Sequence, residues 1–340
     1  MKIEEVYSQV IKAIEQNNKF VIIPHHNPDG DAMGSALAFK VLLDKIGKHS
    51  NVVTPNDYPE FLHWLPKNES VVVWFKNKYK AKSIIEDADV VIFVDFAQLS
   101  RIEEFNDKLF EDKTKILFDH HPDTEGFPDL KITDTRVSST SELVGRFFME
   151  TKFSTLIDKD IASCLLTGII TDTGSFNHNS SRPETYEVLS VLLKTGVNKD
   201  EIYNKVYNNF SFERTQLLGL MLNKNLTYLP DFSTAFMCLS QKEMEEYKFQ
   251  HGDSEGFVNV PLGIKGIVFS VFFMEKKDRI KISFRSTGSF PANEIAKKYF
   301  NGGGHKNAAG GFCKLSMDET IKKFKEALSE YKAILNTSTI

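Results

Sequence analysis

Apolar residues follow two rhythms along this chain. The short runs at 20–24 (FVIIP), 51–54 (NVVT), 71–74 (VVVW), 89–95 (DVVIFVD) and 115–119 (KILFD) have the length and β-branched content of buried strands. Between them, 32–46 and 77–86 carry a helical period. At the start, Val6, Val10 and Ile14 stand four apart among charged residues, which predicts an amphipathic helix. Helical patterns continue over 138–150, 159–172, 183–196, 199–208 and 211–226; in 159–172, Ala162, Leu165, Leu166, Ile169 and Ile170 form one apolar face, and Gly196 fits a helix C-cap.

From about 228 the rhythm becomes β-rich. Segments 233–239, 266–275 and 279–286 read as strands, followed by a short helix at 291–299, a Gly-rich turn and an amphipathic terminal helix from 317. The expected fold class is α/β: an N-terminal domain (1–205) with a mostly parallel sheet flanked by helices, a helical connector (206–227) and a smaller α/β C-terminal domain (228–340).

Composition narrows the function classes. Of 340 residues, 41% are hydrophobic and 26% charged, which suits a globular protein and not a disordered one. Lys plus Arg is 42 and Asp plus Glu 46, so the formal charge is 42 − 46 = −4. That balance argues against a broad basic surface for long nucleic acid, while a short anionic substrate held through bound cations fits. Cys164, Cys238 and Cys313 are few and scattered, as free thiols in a reducing cytoplasm would be. No signal peptide and no apolar run of membrane-spanning length is visible, so the expectation is a cytoplasmic protein with no membrane partner. The sequence gives no sign of oligomeric state.

Candidate chemistry gathers at the ends of regular elements. After the first strand comes His25-His-Asn-Pro-Asp29-Gly-Asp31; Asp95 ends a buried strand; Asp119-His120-His121 ends another; Asp172 closes an apolar-faced helix. Each has a plainer reading by itself: turn hydrogen bonds, a cap, an incidental His pair. Four such segments together suggest something more. In parallel sheets ligands collect at carboxyl strand ends, and imidazole with carboxylate suits Mn²⁺, Fe²⁺ or Zn²⁺, a carboxylate-rich set favouring Mn²⁺. Two divalent metal ions about 3.5–4 Å apart need this many ligands, one of them a bridging carboxylate, and would make hydroxide near neutral pH.

These motifs, with Gly302-Gly303-Gly304-His305-Lys306-Asn307-Ala308-Ala309-Gly310 near the end, make the chain resemble the DHH phosphoesterases, specifically the DHH/DHHA1 subfamily and its oligoribonuclease and pAp phosphatase branch. The resemblance implies one Mn²⁺ on His25, Asp29 and Asp95, and a second on Asp31, Asp95, His120 and Asp172, with Asp95 bridging. It implies His121 beside the scissile phosphate and Asp119 behind His120, fixing its tautomer. Arg101 and Ser138, Ser139 and Thr140 match polar positions near the site; a solvated Arg and a helix N-cap explain them equally well. His178 reads as a loop histidine.

In the C-terminal domain, Arg285 with Ser286, Gly303, Gly304 and His305 would clamp a nucleotide phosphate, a helical turn after the glycines pointing N–H groups at it. The implied activity is Mn²⁺-dependent hydrolysis, in the interdomain cleft, of short 5′-phosphorylated oligonucleotides or of the nucleoside bisphosphate pAp. A cyclic di-AMP or pApA phosphodiesterase and an exopolyphosphatase or pyrophosphatase are the alternatives. A non-catalytic nucleotide sensor would be expected to lack a ligand, and all six are present.

Overall fold

In the computed structural model, which describes residues 3–337 apart from 103, 104, 106, 123, 209 and 251, the N-terminal apolar runs are strands whose alternate side chains enter two cores. After α1 (Ile3–Gln16) come β1 (Lys19–Pro24), α2 (Gly30–Lys45), β2 (His49–Thr54), β3 (Val72–Val73), α3 (Lys78–Asp87), β4 (Val90–Val94), β5 (Thr114–Asp119) and β6 (Leu130–Thr133). The six strands form one parallel sheet in the order β3-β2-β1-β4-β5-β6. From β4, Val90, Ile92 and Val94 face the core built with α1 and α2, whereas Val91 and Phe93 face the one that holds Ala81 and Ile85 of α3. That period of two was hidden in runs that looked uniformly apolar, because both faces are covered.

On the first face lie also α4 (Thr140–Met149), α5 (Lys159–Asp172), α6 (Pro183–Lys194) and α7 (Lys199–Tyr207). Helix α2 runs against α5 and is buried at fourteen successive positions, Gly30 to Leu43. The close approach depends on glycine. A Cβ on Gly30 would collide with the Thr171 side chain, one on Gly34 would lie 2.5 Å from the Cys164 carbonyl oxygen, and one on Gly168 would collide with Ser141. Gly30 and Gly34, four apart, are a small-residue face that the apolar periodicity did not disclose.

Contacts divide the chain into two compact units, residues 1–209 and 210–340. The second begins with α8 (Phe212–Asn223), whose Leu217 and Met221 pack on Met237, Leu239, Phe272 and Met274 of the second sheet. The helical pattern expected to reach 226 stops at Asn223, and β7 (Leu226–Leu229) starts there. Then follow β8 (Thr234–Leu239), α9 (Gln241–Glu246), β9 (Phe269–Glu275), β10 (Ile280–Ser286), α10 (Ala292–Tyr299), β11 (Gly303–His305), β12 (Ala308–Cys313) and α11 (Met317–Thr337). The mixed sheet runs β11-β12-β10-β9-β8-β7, with only β8–β9 parallel. Phe324 and Leu328 of α11 join Phe269, Val271 and Phe273 in its core.

The Gly-rich stretch is a correction. It forms the strand β11 of a tight hairpin with β12 instead of a turn opening into a helix. Two of the three glycines serve that pairing: a Cβ on Gly302 would collide with the Gly310 carbonyl oxygen, and Gly304 has φ +133° with the Ala308 carbonyl 2.6 Å from its Cβ position, whereas a Cβ on Gly303 would meet nothing within 4 Å. Among the described residues no helix is long and apolar enough to cross a membrane, and the three cysteines are free.

Candidate metal centre

Strand order decides where the chemistry converges. The sheet order reverses between β1 and β4, and in doubly wound sheets the crevice at such a switch point receives ligands. His25 follows β1 and Asp95 follows β4, so both emerge into that crevice. Asp95 takes φ +69°, a left-handed conformation that a side chain rarely adopts, while its N–H donates to the Phe118 carbonyl at 3.0 Å. His25 Nε2 lies 3.4 Å from Asp95 Oδ2 and 3.9 Å from Asp29 Oδ2. On the other side, His120 Nε2 lies 3.6 Å from Asp95 Oδ1, 3.7 Å from Asp172 Oδ2 and 4.0 Å from Asp31 Oδ2. The six expected ligands are together, in two groups that share Asp95.

Local structure explains each placement. The carboxylate of Asp29 caps α2 by accepting from the N–H groups of Asp31 and Ala32. Asp172 arrives on the last turn of α5, carried by its packing on α2. The N-terminus of α4 bonds directly to two of these carboxylates. The Thr140 and Ser141 N–H groups donate to Asp31 Oδ2 and Oδ1 at 2.7 and 2.8 Å, and the Thr140 hydroxyl donates to Asp95 Oδ1 at 2.9 Å. Thr140 therefore holds both carboxylates. Of the two readings open for the Ser138–Thr140 run, the cap holds for Ser139 and the place beside the site for Thr140.

The electrostatics call for a cation. Burial, then neighbouring Asp31, Asp29, Asp172 and Asp119, push the Asp95 carboxyl well above its usual range, and burial raises Asp31 as well. Burial lowers the His25 imidazole to about 4, so it is neutral at pH 7. Its Nδ1 lies 2.9 Å from the His26 carbonyl oxygen, which fixes the proton there and turns the Nε2 lone pair toward Asp95 and Asp29. Among the described residues the ion-pair partners of Asp31, Asp95 and Asp119 are histidines, never Lys or Arg. His25 and His120 meet their Asp partners at 3.4–4.0 Å without hydrogen-bonding them, a spacing that suits a shared divalent ion.

One expected role is corrected. Asp119, fully buried, accepts at 2.8 Å from His121 Nδ1 and so backs His121 rather than His120. Its Oδ2 has no hydrogen-bond partner. Arg101 contributes its carbonyl, which accepts from the His26 N–H at 2.8 Å; its side chain is exposed.

The second unit holds the other candidates. Arg285 and His305 both pair in register with Ala308, so they share one sheet face with a small residue between them. Two strand spacings, about 9–10 Å, separate their backbones. Ser286 is not in that row: it turns to the opposite face, where its buried hydroxyl donates to the Phe290 carbonyl at 2.7 Å and accepts from Asn307 at 2.8 Å.

Residues 19–169 match the DHH family, N-terminal domain, and residues 236–336 the DHHA1 domain. The chain is 30% identical over 332 residues to the bifunctional oligoribonuclease and PAP phosphatase NrnA of Thermus thermophilus, covering 95% of this chain and 92% of that protein. It belongs to the DHH family. As a DHH phosphoesterase it is a hydrolase. The NrnA of Bacillus subtilis is 26% identical over 89% of this chain and 92% of its own length. Among solved structures, an exopolyphosphatase-related protein from Bacteroides fragilis superposes with a TM-score of 0.94 at 41% identity, covering 98% of both chains. In this DHH chain the signature triplet is Asp119-His120-His121, each member with a different set of contacts.

Proposed function

We propose that this DHH enzyme is a cytoplasmic hydrolase of short 5′-phosphorylated oligonucleotides and of pAp, working with two divalent metal ions, Mn²⁺ by the character of its ligands. The observation that carries this reading is Asp95, one of whose oxygens faces His25 while the other faces His120. On this reading His25, Asp29 and Asp95 hold one ion, and Asp31, Asp95, His120 and Asp172 the other. Such a pair supplies a nucleophile from water near neutral pH and offsets charge on the phosphoryl oxygens. His121, oriented by its bond to Asp119, meets the scissile phosphate and stabilises charge as it develops. Arg285 and His305, on one sheet face, grip a second phosphate. The names of the Thermus and Bacillus relatives support short RNA and pAp as substrates.

A second reading, cleavage of phosphate chains, is favoured by the name of the Bacteroides fragilis protein. One assay separates them: pApA, pAp, cyclic di-AMP, a long RNA and polyphosphate offered side by side with Mn²⁺. Rapid loss of pApA and pAp, abolished by chelation and restored by about two equivalents of Mn²⁺ per chain, is expected. Preference for polyphosphate or the cyclic dinucleotide would refute the substrate assignment, and restoration by one equivalent would refute the paired centre.

A further inference from the structure

Residues 74–82 read Trp-Phe-Lys-Asn-Lys-Tyr-Lys-Ala-Lys, aromatic rings among four lysines. Trp74 is buried, but Phe75 is 64% and Tyr79 92% exposed. The segment leaves the carboxyl end of β3, so it emerges on the same rim of the parallel sheet as His25 and Asp95. Polar contacts join it to the metal loop. The Asn27 N–H donates to Asn56 Oδ1 at 2.6 Å, and Asn56 Nδ2 donates to Asn27 Oδ1 at 2.8 Å. Asp57, the next residue, pairs with Lys76 at 2.6 Å, and the Phe75 N–H donates to the Pro55 carbonyl at 3.4 Å.

Lys76 and Lys82 pair with Asp57 and Glu86, but fold stability leaves the two exposed rings and the two lysines of the first helical turn unexplained. A lone exposed apolar residue is ordinary, but here two rings stand four residues apart with lysines between them. The first turn of a helix disfavours cations, because its unpaired N–H groups carry partial positive charge. Helix α3 nonetheless has Lys78 and Lys80 there and no acid, while Glu86 and Asp87 sit at its far end. This order is the reverse of the one that stabilises a helix. Neither Lys78 nor Lys80 has an ion-pair partner among the described residues, and Lys78 lies over the Trp74 ring at 5.4 Å. A polyanion would turn the unfavourable charge into a favourable one.

We infer that segment 75–80 is a docking surface for single-stranded nucleic acid: nucleotides beyond those at the metal centre stack on Phe75 and Tyr79 while Lys78 and Lys80 meet their phosphates. Alternating rings and cations match a strand that presents base faces and phosphates in turn; a duplex hides its base faces, and an acidic peptide offers nothing to stack. The inference rests on the reading of the substrate as a phosphorylated oligonucleotide, and extends it to strands longer than two.

The test uses the full chain in EDTA, where nothing is cleaved, with a dye-labelled 5′-phosphorylated oligoadenylate octanucleotide read by fluorescence anisotropy. Phe75→Ser/Tyr79→Ser should weaken binding about tenfold or more with its salt dependence kept, since stacking is worth this much. Lys78→Gln/Lys80→Gln should reduce the slope of log K against log salt by about 1.4, from about 0.7 per phosphate contact on a single strand. Both variants should melt no lower than the wild type and keep its turnover of pApA with Mn²⁺. Wild-type octanucleotide affinity in both variants would overturn the surface, as would loss of pApA turnover at unchanged Tm. So would wild-type preference for a duplex of the same length, or for a polyaspartate peptide. A chain that binds the octanucleotide yet leaves pApA intact would refute the substrate reading alone and leave the docking surface standing.

Discussion

Asp95 concentrates the electrostatic tension of the candidate metal centre. It is buried, left-handed at φ +69° and surrounded by four other carboxylates. Its folded-state pKa lies above the unfolded value, so its contribution to the metal-free fold is unfavourable above the unfolded carboxylate range and eases as pH falls. Asp95→Asn keeps an acceptor for the Thr140 hydroxyl but removes the charge. In EDTA at neutral pH its Tm should therefore rise by a few degrees, whereas the rise that Mn²⁺ gives the wild type should vanish and pApA turnover with it. Differential scanning calorimetry with and without Mn²⁺ checks the sign; a variant that melts lower in EDTA but still gains from Mn²⁺ would contradict it. Asp95 stood out in the sequence only beside its companions: alone, a carboxylate closing five apolar residues reads as a cap or loop residue, and four such segments together pointed to a site. Its partner Thr140 was legible only in part: it matched a polar position near the site, but a Thr at a helix start is equally a capping residue, and only proximity across 45 positions revealed the bond.

At the scale of elements, the packing of α2 on α5 sets the site. Asp31 rides on the first turn of α2 and Asp172 on the last turn of α5, so the spacing of two helix axes sets the spacing of two carboxylates. Gly34→Val would push its side chain into the Cys164 carbonyl. It should cost about 1–3 kcal/mol by overpacking and lower divalent-metal affinity, although no ligand is altered; chemical denaturation and calorimetric titration with Mn²⁺ read the two effects. Strands β1, β2, β4 and β5 and helices α2, α3 and α5 are visible in the apolar rhythm, because buried parallel strands and long helices leave strong patterns. Strands β6, β7, β11 and β12 are not: β6 has four residues with one buried, and the hairpin of β11 and β12 is written mainly in glycine and alanine.

For the molecule as a whole, the charge of −4 coexists with local stores of both signs: carboxylates at the candidate metal centre, lysines at 76–82 and Arg285 beside His305 on one sheet face. The proposed division of labour places bond cleavage in the first unit and phosphate recognition in the second. His305→Ala should then raise the KM for pApA about tenfold, the worth of one charge-assisted hydrogen bond, while slow turnover of a generic phosphodiester such as bis(p-nitrophenyl) phosphate stays unchanged. Steady-state kinetics on both substrates tests this, and an equal loss on both would place His305 in the cleavage chemistry instead.

The candidate ligands were legible in the sequence alone, since their motifs lie at the ends of regular elements and elements are local: His25, Asp29, Asp31, Asp95, His120 and Asp172 could be picked out before any contact was known. What tertiary structure decided is everything that depends on distance across the chain. It chose β1 and β4 as neighbours, and so placed Asp95 between His25 and His120. It gave Asp119 to His121, turned Ser286 away from Arg285, and made the Gly-rich signature one side of a hairpin. Local propensity carries no term for which strand lies beside which or which side chains share a face; burial, register and the close approach of glycine-faced helices supply it.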